Sequence, residues 1–121
     1  MVDKNESILV VDDNEMVVEF LEIILTRNGY PNTRKFSNSI DAKNYLLKNN
    51  VDILITDLDM PEVTGFELID IALQKNIEKI VAISANHRGN VEIMEQFPEE
   101  TRIKYLLKPC YAEQLLESIS A

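Results

Sequence analysis

Several short apolar segments of the sequence each lead into a polar residue whose side chain can take part in chemistry. In chain order these residues are Asp12, Asp13, Asp57, Ser84 and Lys108. Together they offer three carboxylates, a hydroxyl and an ammonium group. Crowded carboxylates repel one another unless a cation neutralises them, and Mg²⁺ prefers a few carboxylates with water and phosphate oxygens. If these residues meet in space, they form a site for a hard divalent cation and a phosphate group.

Asp57 is the candidate nucleophile of such a site. An aspartate placed between a metal ion and a lysine can attack phosphorus and hold the phosphoryl group as an acyl phosphate. Lys108 supplies a positive point charge for a phosphate oxygen, and Ser84 supplies a neutral hydrogen-bond donor. Phosphoryl transfer mainly requires in-line positioning and neutralised charge. The pattern therefore favours Mg²⁺-dependent phosphorylation of Asp57.

Each of these residues also has a purely structural explanation when it is considered alone. Asp12 or Asp13 can cap the helix that follows, and Asp57 can be a turn residue. Small hydroxyl residues such as Ser84 are frequent at strand ends, and Lys108 can be a solvated surface lysine. The functional interpretation depends on the coincidence that the candidates end separate predicted strands.

The elements that must position these residues alternate regularly along the chain. Nearly continuous apolar runs predict buried parallel strands at Ile8–Val11, Val51–Ile55, Ile80–Ile83 and Ile103–Leu107. A more polar run predicts an edge strand at Thr33–Ser37. Amphipathic segments predict helices at about Asn14–Asn28, Ser39–Asn49, Gly65–Lys75, Gly89–Phe97 and Ala112–Ser120. This order favours an α/β fold with a doubly wound parallel sheet, in which ligands lie beyond the C-terminal strand ends.

Length and composition restrict the class of protein. The chain has 121 residues, which predicts one domain over residues 1–121, and its hydrophobic share of 45% is that of an ordinary globular protein. A net charge of −9 disfavours nucleic-acid binding. With one cysteine, no targeting region and no long apolar run, we expect a cytoplasmic protein without membrane association.

Four motifs, in their order and spacing, resemble the receiver domain of bacterial two-component response regulators. They are Val11-Asp12-Asp13, the nine residues from Asp57 to Gly65, Ser84-Ala85, and the five residues from Tyr105 to Pro109. The resemblance extends from Ile8 to about Ile119. It implies a flavodoxin-like sheet of five parallel strands in the order 2-1-3-4-5.

The resemblance also implies roles for the acidic residues. Asp57 is expected to be the phosphoacceptor, which receives its phosphoryl group from a phosphohistidine on a sensor histidine kinase or a histidine phosphotransfer protein. Asp12 and Asp13 are expected to be the metal-binding pair, with Asp13 favoured as the direct ligand. Asp59 is expected to give Mg²⁺ its backbone carbonyl, and Asp57 to share the metal.

The remaining motif positions are implied to sense the phosphoryl group. Ser84 is expected to bond it, Lys108 to bind one of its oxygens, and Tyr105 to turn inward as the switch aromatic. Lys108–Pro109 is expected to be a cis peptide. The signal would then pass to an effector domain or a downstream protein, so the chain is expected to be a signalling domain rather than a turnover enzyme.

Two departures from the family pattern accompany the resemblance. The stretch 97–102 has no glycine where the family often has a small-residue turn, which leaves the shape of the fourth helix open. Cys110 stands where a large apolar residue is common, and we interpret it as a small buried hydrophobe rather than a reactive thiol.

Three other functions compete with this interpretation. Asp57-Leu58-Asp59 matches the signature of haloacid-dehalogenase-type phosphatases, but in those enzymes that signature precedes the acidic pair, and here Asp12-Asp13 comes first. A degenerate receiver that serves only as an interaction module is disfavoured because the polar positions are intact. A flavodoxin-like flavin carrier is disfavoured by the scarcity of glycine.

The first predicted helix carries more apolar surface than one buried face needs. Its core-facing line is predicted to be Val17, Leu21 and Ile24, and a flanking strip consists of Met16, Phe20 and Ile23. Two interpretations of the strip are open. It is either a docking site for the phosphodonor or a surface covered by the last helix through Leu115, Leu116 and Ile119.

Overall fold

Five parallel strands and five helices alternate along the chain in the computed structural model, which describes residues 5–120. The strands are β1 Ile8–Val11, β2 Thr33–Phe36, β3 Ile53–Asp57, β4 Lys79–Ser84 and β5 Ile103–Leu107. The helices are α1 Glu15–Arg27, α2 Ser39–Lys48, α3 Gly65–Gln74, α4 Gly89–Gln96 and α5 Ala112–Ser120. The sheet order is β2-β1-β3-β4-β5, which confirms the predicted flavodoxin-like, doubly wound fold.

The sheet separates two layers of apolar packing. Along β1, Leu9 and Val11 belong to one buried cluster, and Ile8 and Val10 belong to the other. The first cluster includes residues of α2, α3 and α4, and the second includes residues of α1 and α5. Because successive strand residues point to opposite faces, a strand covered on both sides must be apolar throughout. This explains why the central strands were recognisable in the sequence.

Apart from one-residue shifts in the bounds of β2 and β4, two of the predicted strands differ from the observed ones. β3 starts and ends two residues later than predicted, since pairing with β4 continues through Thr56 and Asp57. β5 was predicted to be buried, but it is an edge strand with half-buried and exposed residues. An edge strand is covered by neighbours less completely than a central strand, and sequence order does not reveal which strand lies at the edge.

The segment after α4 forms its turn without glycine. Glu99 adopts a left-handed backbone with φ of 65°, a conformation that glycine adopts more readily. Glu100 and Arg102 form a salt bridge at 2.8 Å across the end of this turn. The missing glycine therefore leaves α4 intact as a helix of eight residues.

The lengths of the helices bear on membrane association. Within residues 5–120, no helix combines the length and apolar composition that crossing a bilayer requires.

Candidate functional site

Asp57 lies at the C-terminal end of β3 and is buried, with 7% of its surface exposed. Its Oδ1 accepts a hydrogen bond from the backbone N–H of Leu58 at 2.9 Å. Burial, reinforced by the neighbouring Asp12 carboxylate, raises the pKa of Asp57 from 3.8 to about 6, although Lys108 and backbone N–H groups oppose the rise. The protein thus holds this carboxylate in a state that favours a proton or another cation.

Asp12, Asp13 and Asp57 form a cluster of carboxylates. One oxygen from each lies within 4.8 Å of the others, so a single ion can contact all of them. Asp12 is 2% exposed and its Oδ1 accepts from the N–H of Asn14 at 2.9 Å, whereas Asp13 is exposed. Asn14 itself caps α1 by accepting from the N–H of Met16. The turn after β1 therefore fixes Asp12 and leaves Asp13 open to solvent.

Lys108 completes the charge arrangement from the end of β5. Its Nζ lies 2.6 Å from Oδ2 of Asp12 and 3.7 Å from Oδ2 of Asp57. Burial of the ammonium opposes its charge, yet Asp12, Asp57 and Asp13 together hold the pKa of Lys108 above its ordinary value. The backbone N–H of Lys108 donates to the carbonyl of Ser84 at 2.8 Å, and the Lys108–Pro109 peptide is cis, as predicted.

Ser84, at the end of β4, is fully buried and its hydroxyl is bonded on two sides. It donates to Oδ2 of Asp59 at 3.1 Å and accepts from the N–H of Asn86 at 3.0 Å. The hydroxyl is therefore held between the loop after β3 and the loop after β4. Sequence reasoning assigned only a backbone role to Asp59, so this side-chain contact is new.

Tyr105 on β5 packs against the start of α4. Its hydroxyl donates to the carbonyl of Asn86, and its ring lies over Gly89, where an added Cβ would come within 2.7 Å of it. Burial raises the pKa of Tyr105, and the Asp59 carboxylate contributes, although the nearby Ser84 hydroxyl opposes the rise. Tyr105 is half-buried here, so the aromatic ring already lies against the loop that carries Asn86.

The sequence model of the response regulator receiver domain family matches residues 8–120. The chain belongs to this family.

Curated relatives and solved structures agree with the family match. A CheY chemotaxis protein homologue from Campylobacter jejuni is 29% identical over 115 residues, which cover 93% of this chain and 88% of the relative. The structure of a Sinorhizobium medicae receiver protein superimposes with a TM-score of 0.83, at 23% identity and over 95% of this chain and 91% of that one. The Thermotoga maritima regulator TrrA, solved in complex with Mg²⁺–BeF, gives a TM-score of 0.78 at 26% identity, over 94% and 96% of the chains.

The family match supports the receiver interpretation and none of the competing functions. The structure of the receiver domain brings together all of the residues that the sequence singled out. The carboxylates of Asp12, Asp13 and Asp57 meet Lys108, and Ser84 is tied to Asp59. Their individual roles remain predictions.

The structure places two residues in the site that the sequence did not indicate, Asn86 and Gly89. Asn86 connects Ser84 to Tyr105 through its N–H and its carbonyl, and Gly89 makes room for the Tyr105 ring. A weak signal for Asn86 was available, because asparagine often bonds the backbone two residues on, as it does here to the N–H of Arg88 at 2.8 Å. Gly89 gave only a signal for a loop or helix start.

The apolar strip on α1 is exposed. Met16 is 78% exposed, Phe20 51% and Ile23 48%. The interpretation in which α5 covers the strip is therefore wrong: Leu115 and Ile119 pack instead with the buried face of α1. That face is formed by Val18, Leu21, Ile24 and Leu25, whereas Val17, predicted to face the core, is half-buried at its margin.

A groove of about 490 Å³ adjoins this strip. Its lining is mostly apolar and includes Val17, Phe20, Ile83, Ala85, Pro109 and Cys110, and Lys108 lies at its wall. Cys110 is half-buried rather than fully buried, and burial raises the pKa of its thiol, which makes the thiolate scarcer. The groove thus runs from the exposed strip of α1 to a residue of the charged site.

Proposed function

We propose that this receiver domain accepts a phosphoryl group on Asp57 from a phosphohistidine, in a Mg²⁺-dependent reaction, and that residues 1–121 act as one such unit. The observation that carries the proposal is the meeting of the buried Asp57 carboxylate with two further carboxylates and with Lys108. A structural ion pair needs one carboxylate for one lysine. The excess of negative charge is instead what a divalent cation neutralises.

The donor set fits Mg²⁺. Asp13 and Asp57 would hold it directly, with Asp12 beside them and the backbone carbonyl of Asp59 as a neutral oxygen ligand. All of these are hard oxygen donors, and the exposure of Asp13 leaves room for the waters that Mg²⁺ retains. Bound Mg²⁺ would neutralise the carboxylates and the negative charge on the transferred group.

In the transfer step, a carboxylate oxygen of Asp57 attacks the phosphorus of the phosphohistidine. A new O–P bond forms, the P–N bond breaks, and its electron pair stays on the imidazole nitrogen of the donor. Lys108 can follow the charge, since its Nζ already lies between Asp12 and Asp57 and needs only to exchange one oxygen partner for another. Ionised Asp57 is the reactive form, and a bound cation would lower its raised pKa.

The switch would work through the hydrogen bonds of Ser84. A phosphoryl group on Asp57 offers acceptor oxygens that compete with the Asp59 carboxylate for the Ser84 hydroxyl. A shift of Ser84 pulls on the N–H of Asn86, whose carbonyl holds the Tyr105 hydroxyl. The phosphorylation state would thereby reach the face formed by α4 and β5, where an effector domain or a downstream protein can respond.

The groove beside α1 is the proposed docking surface of the phosphodonor. It ends at Lys108, so a helix that carries the phosphohistidine and lies in the groove would point its reactive group at the site. Exposed Phe20 and Met16 offer apolar anchors, while the exposed Glu15 and Glu19 would favour a basic rim on the partner. The expected occupant is therefore an amphipathic helix of a sensor kinase or a phosphotransfer protein.

Intact-mass measurement after incubation with Mg²⁺ and acetyl phosphate tests the proposal. We expect a gain of one phosphate in the parent protein and none in Asp57→Asn, which is nearly isosteric and should fold normally. Asp13→Asn should require more Mg²⁺ for the same labelling because it loses one charged ligand. Undiminished labelling of Asp57→Asn would refute the assignment, and rapid hydrolysis of many phosphate esters would indicate a phosphatase.

A further inference from the structure

The loop that follows Asp57 is held by a hydroxyl group from another helix. Ser39, the first residue of α2, is 5% exposed. Its Oγ donates a hydrogen bond to the carbonyl of Pro61 at 2.7 Å and accepts one from the N–H of Val63 at 3.2 Å. One side chain therefore bonds both ends of a three-residue turn.

The turn that Ser39 closes has a strained backbone. The N–H of Val63 also donates to the carbonyl of Pro61 at 2.9 Å, and Glu62 between them has φ of 69°. These features define a γ-turn with a positive φ at its centre, which is the rarer and more strained form. A non-glycine residue in such a conformation persists only when the surrounding structure holds it there. Here the Ser39 hydroxyl supplies that restraint.

The same loop carries the carbonyl that we assign to the metal. At its base, the N–H of Gly65 donates to the carbonyl of Leu58 at 3.0 Å. Next to Asp59, the side chain of Met60 is buried, with 6% exposed. Asp59 thus lies between a bonded base and a turn that is bonded to Ser39. Ser84 bonds only its side chain, so the position of its backbone carbonyl depends on these two anchors.

We propose that Ser39 is a positioning residue for Mg²⁺ binding. Its hydroxyl holds the Pro61–Val63 turn so that the backbone carbonyl of Asp59 stays where a cation needs it. The proposal rests on the proposed function, and specifically on the assignment of that carbonyl as a ligand. A loop without the hydroxyl populates further conformations, so the apparent metal affinity falls in proportion to the binding-competent fraction.

The test compares Ser39→Ala with a matched serine variant. Ser118 lies on α5 and is 9% exposed, and its hydroxyl donates to the backbone carbonyl of Leu115 at 2.6 Å. Ser118→Ala therefore also removes a buried hydroxyl that bonds a backbone carbonyl. Two quantities are measured for each variant: the Mg²⁺ concentration for half-maximal labelling by acetyl phosphate, and the apparent Kd for Mg²⁺ fitted to the rise of the melting temperature with Mg²⁺ concentration. We expect Ser39→Ala to raise both about three- to tenfold, with the labelling rate at saturating Mg²⁺ nearly unchanged. Ser118→Ala should lower stability without changing either.

Further variants make the outcome decisive. Ser39→Thr retains a hydroxyl and should restore the parent Mg²⁺ requirement, and Ser39→Cys, a weak donor of similar size, replaces the alanine variant if that one does not fold. The role of Ser39 would be overturned if Ser39→Ala lowered stability but left the Mg²⁺ requirement unchanged, as is expected of Ser118→Ala. If the parent protein takes up no phosphate, the proposed function fails, and the thermal titration with Mg²⁺ still decides the role of Ser39.

Discussion

Replacing Asp57 with Asn should stabilise the metal-free protein, and the gain should depend on pH. Asp57 is buried beside the carboxylate of Asp12, and its pKa rises from 3.8 to about 6. The folded state therefore binds more protons than the unfolded chain between about pH 4 and 6. Stability falls as pH rises through this window, and the full cost is present above the folded pKa. An asparagine side chain carries no charge and avoids this cost at every pH.

The size of the effect follows from the pKa. One pKa unit corresponds to about 1.4 kcal/mol, so the rise from 3.8 to about 6 corresponds to about 3 kcal/mol at pH 8. At pH 5, where the folded carboxyl is mostly protonated, the same relation gives a stability cost of about half that size. In Asp57→Asn the amide oxygen of the new side chain can still accept the hydrogen bond from the N–H of Leu58, so the substitution removes charge with little loss of bonding.

Urea unfolding followed by circular dichroism, in EDTA at pH 5 and pH 8, measures the difference. Urea is preferred because guanidinium, as a salt, would screen the charges. Asp70→Asn is the matched control: its carboxylate is exposed on α3, so its removal should change the free energy of unfolding by less than about 0.5 kcal/mol. Adding Mg²⁺ should stabilise the parent protein and reduce the difference in the free energy of unfolding between it and Asp57→Asn.

Two results would refute this reasoning. One is an Asp57→Asn variant that is no more stable than the parent at pH 8. The other is a gain of equal size at pH 5 and pH 8, because a gain from better packing does not follow the titration of a carboxylate.

Further predictions test the groove, the Asp59 contact and the metal. Phe20→Ala should slow phosphoryl transfer from the cognate kinase at least about tenfold. Its labelling by acetyl phosphate and its stability should stay nearly unchanged, as they should in the exposed control Leu47→Ala. Strong destabilisation by Phe20→Ala would contradict the docking proposal. Asp59→Ala frees the Ser84 hydroxyl and removes a negative charge, so acetyl phosphate should label this variant severalfold faster than the parent protein. An unchanged labelling rate would count against the proposal that the phosphoryl group and the Asp59 carboxylate compete for the Ser84 hydroxyl. Millimolar Mg²⁺ should raise the melting temperature, because a Mg²⁺ concentration of ten times Kd adds about 1.4 kcal/mol to the free energy of unfolding. The rise should be smaller in Asp13→Asn, and a melting temperature that does not change with Mg²⁺ would exclude the metal site.

The central strands and their polar ends were readable from the sequence for a physical reason. A strand covered on both faces must be apolar along its whole length, as Ile8–Val11 is. A charged residue directly after such a run is then conspicuous. In a parallel sheet the strand ends meet at one edge, so Asp12 and Asp57 could be placed together from their positions alone.

Features that depend on neighbours distant in sequence were not readable. β5 is apolar except for Lys104, and its place at the edge of the sheet leaves its apolar residues half-buried or exposed. Similarly, the periodicity of α1 shows a wide apolar arc, but the rotation of the helix against the sheet decides that Val18 is buried and Phe20 is exposed. Helical spacing alone assigned the core line to Val17.

Side-chain contacts across the site were decided by the tertiary structure. The bonds from Ser39 to Pro61 and Val63 span 22 and 24 residues, and the contact between Asp59 and Ser84 spans 25. The raised pKa of Asp57 likewise comes from burial and from the carboxylate of Asp12, which directly follows another strand. Residue types and spacing determine which groups reach the edge of the sheet, since that depends on local periodicity. Which of them touch depends on strand order and helix docking, which bring distant segments within hydrogen-bonding distance.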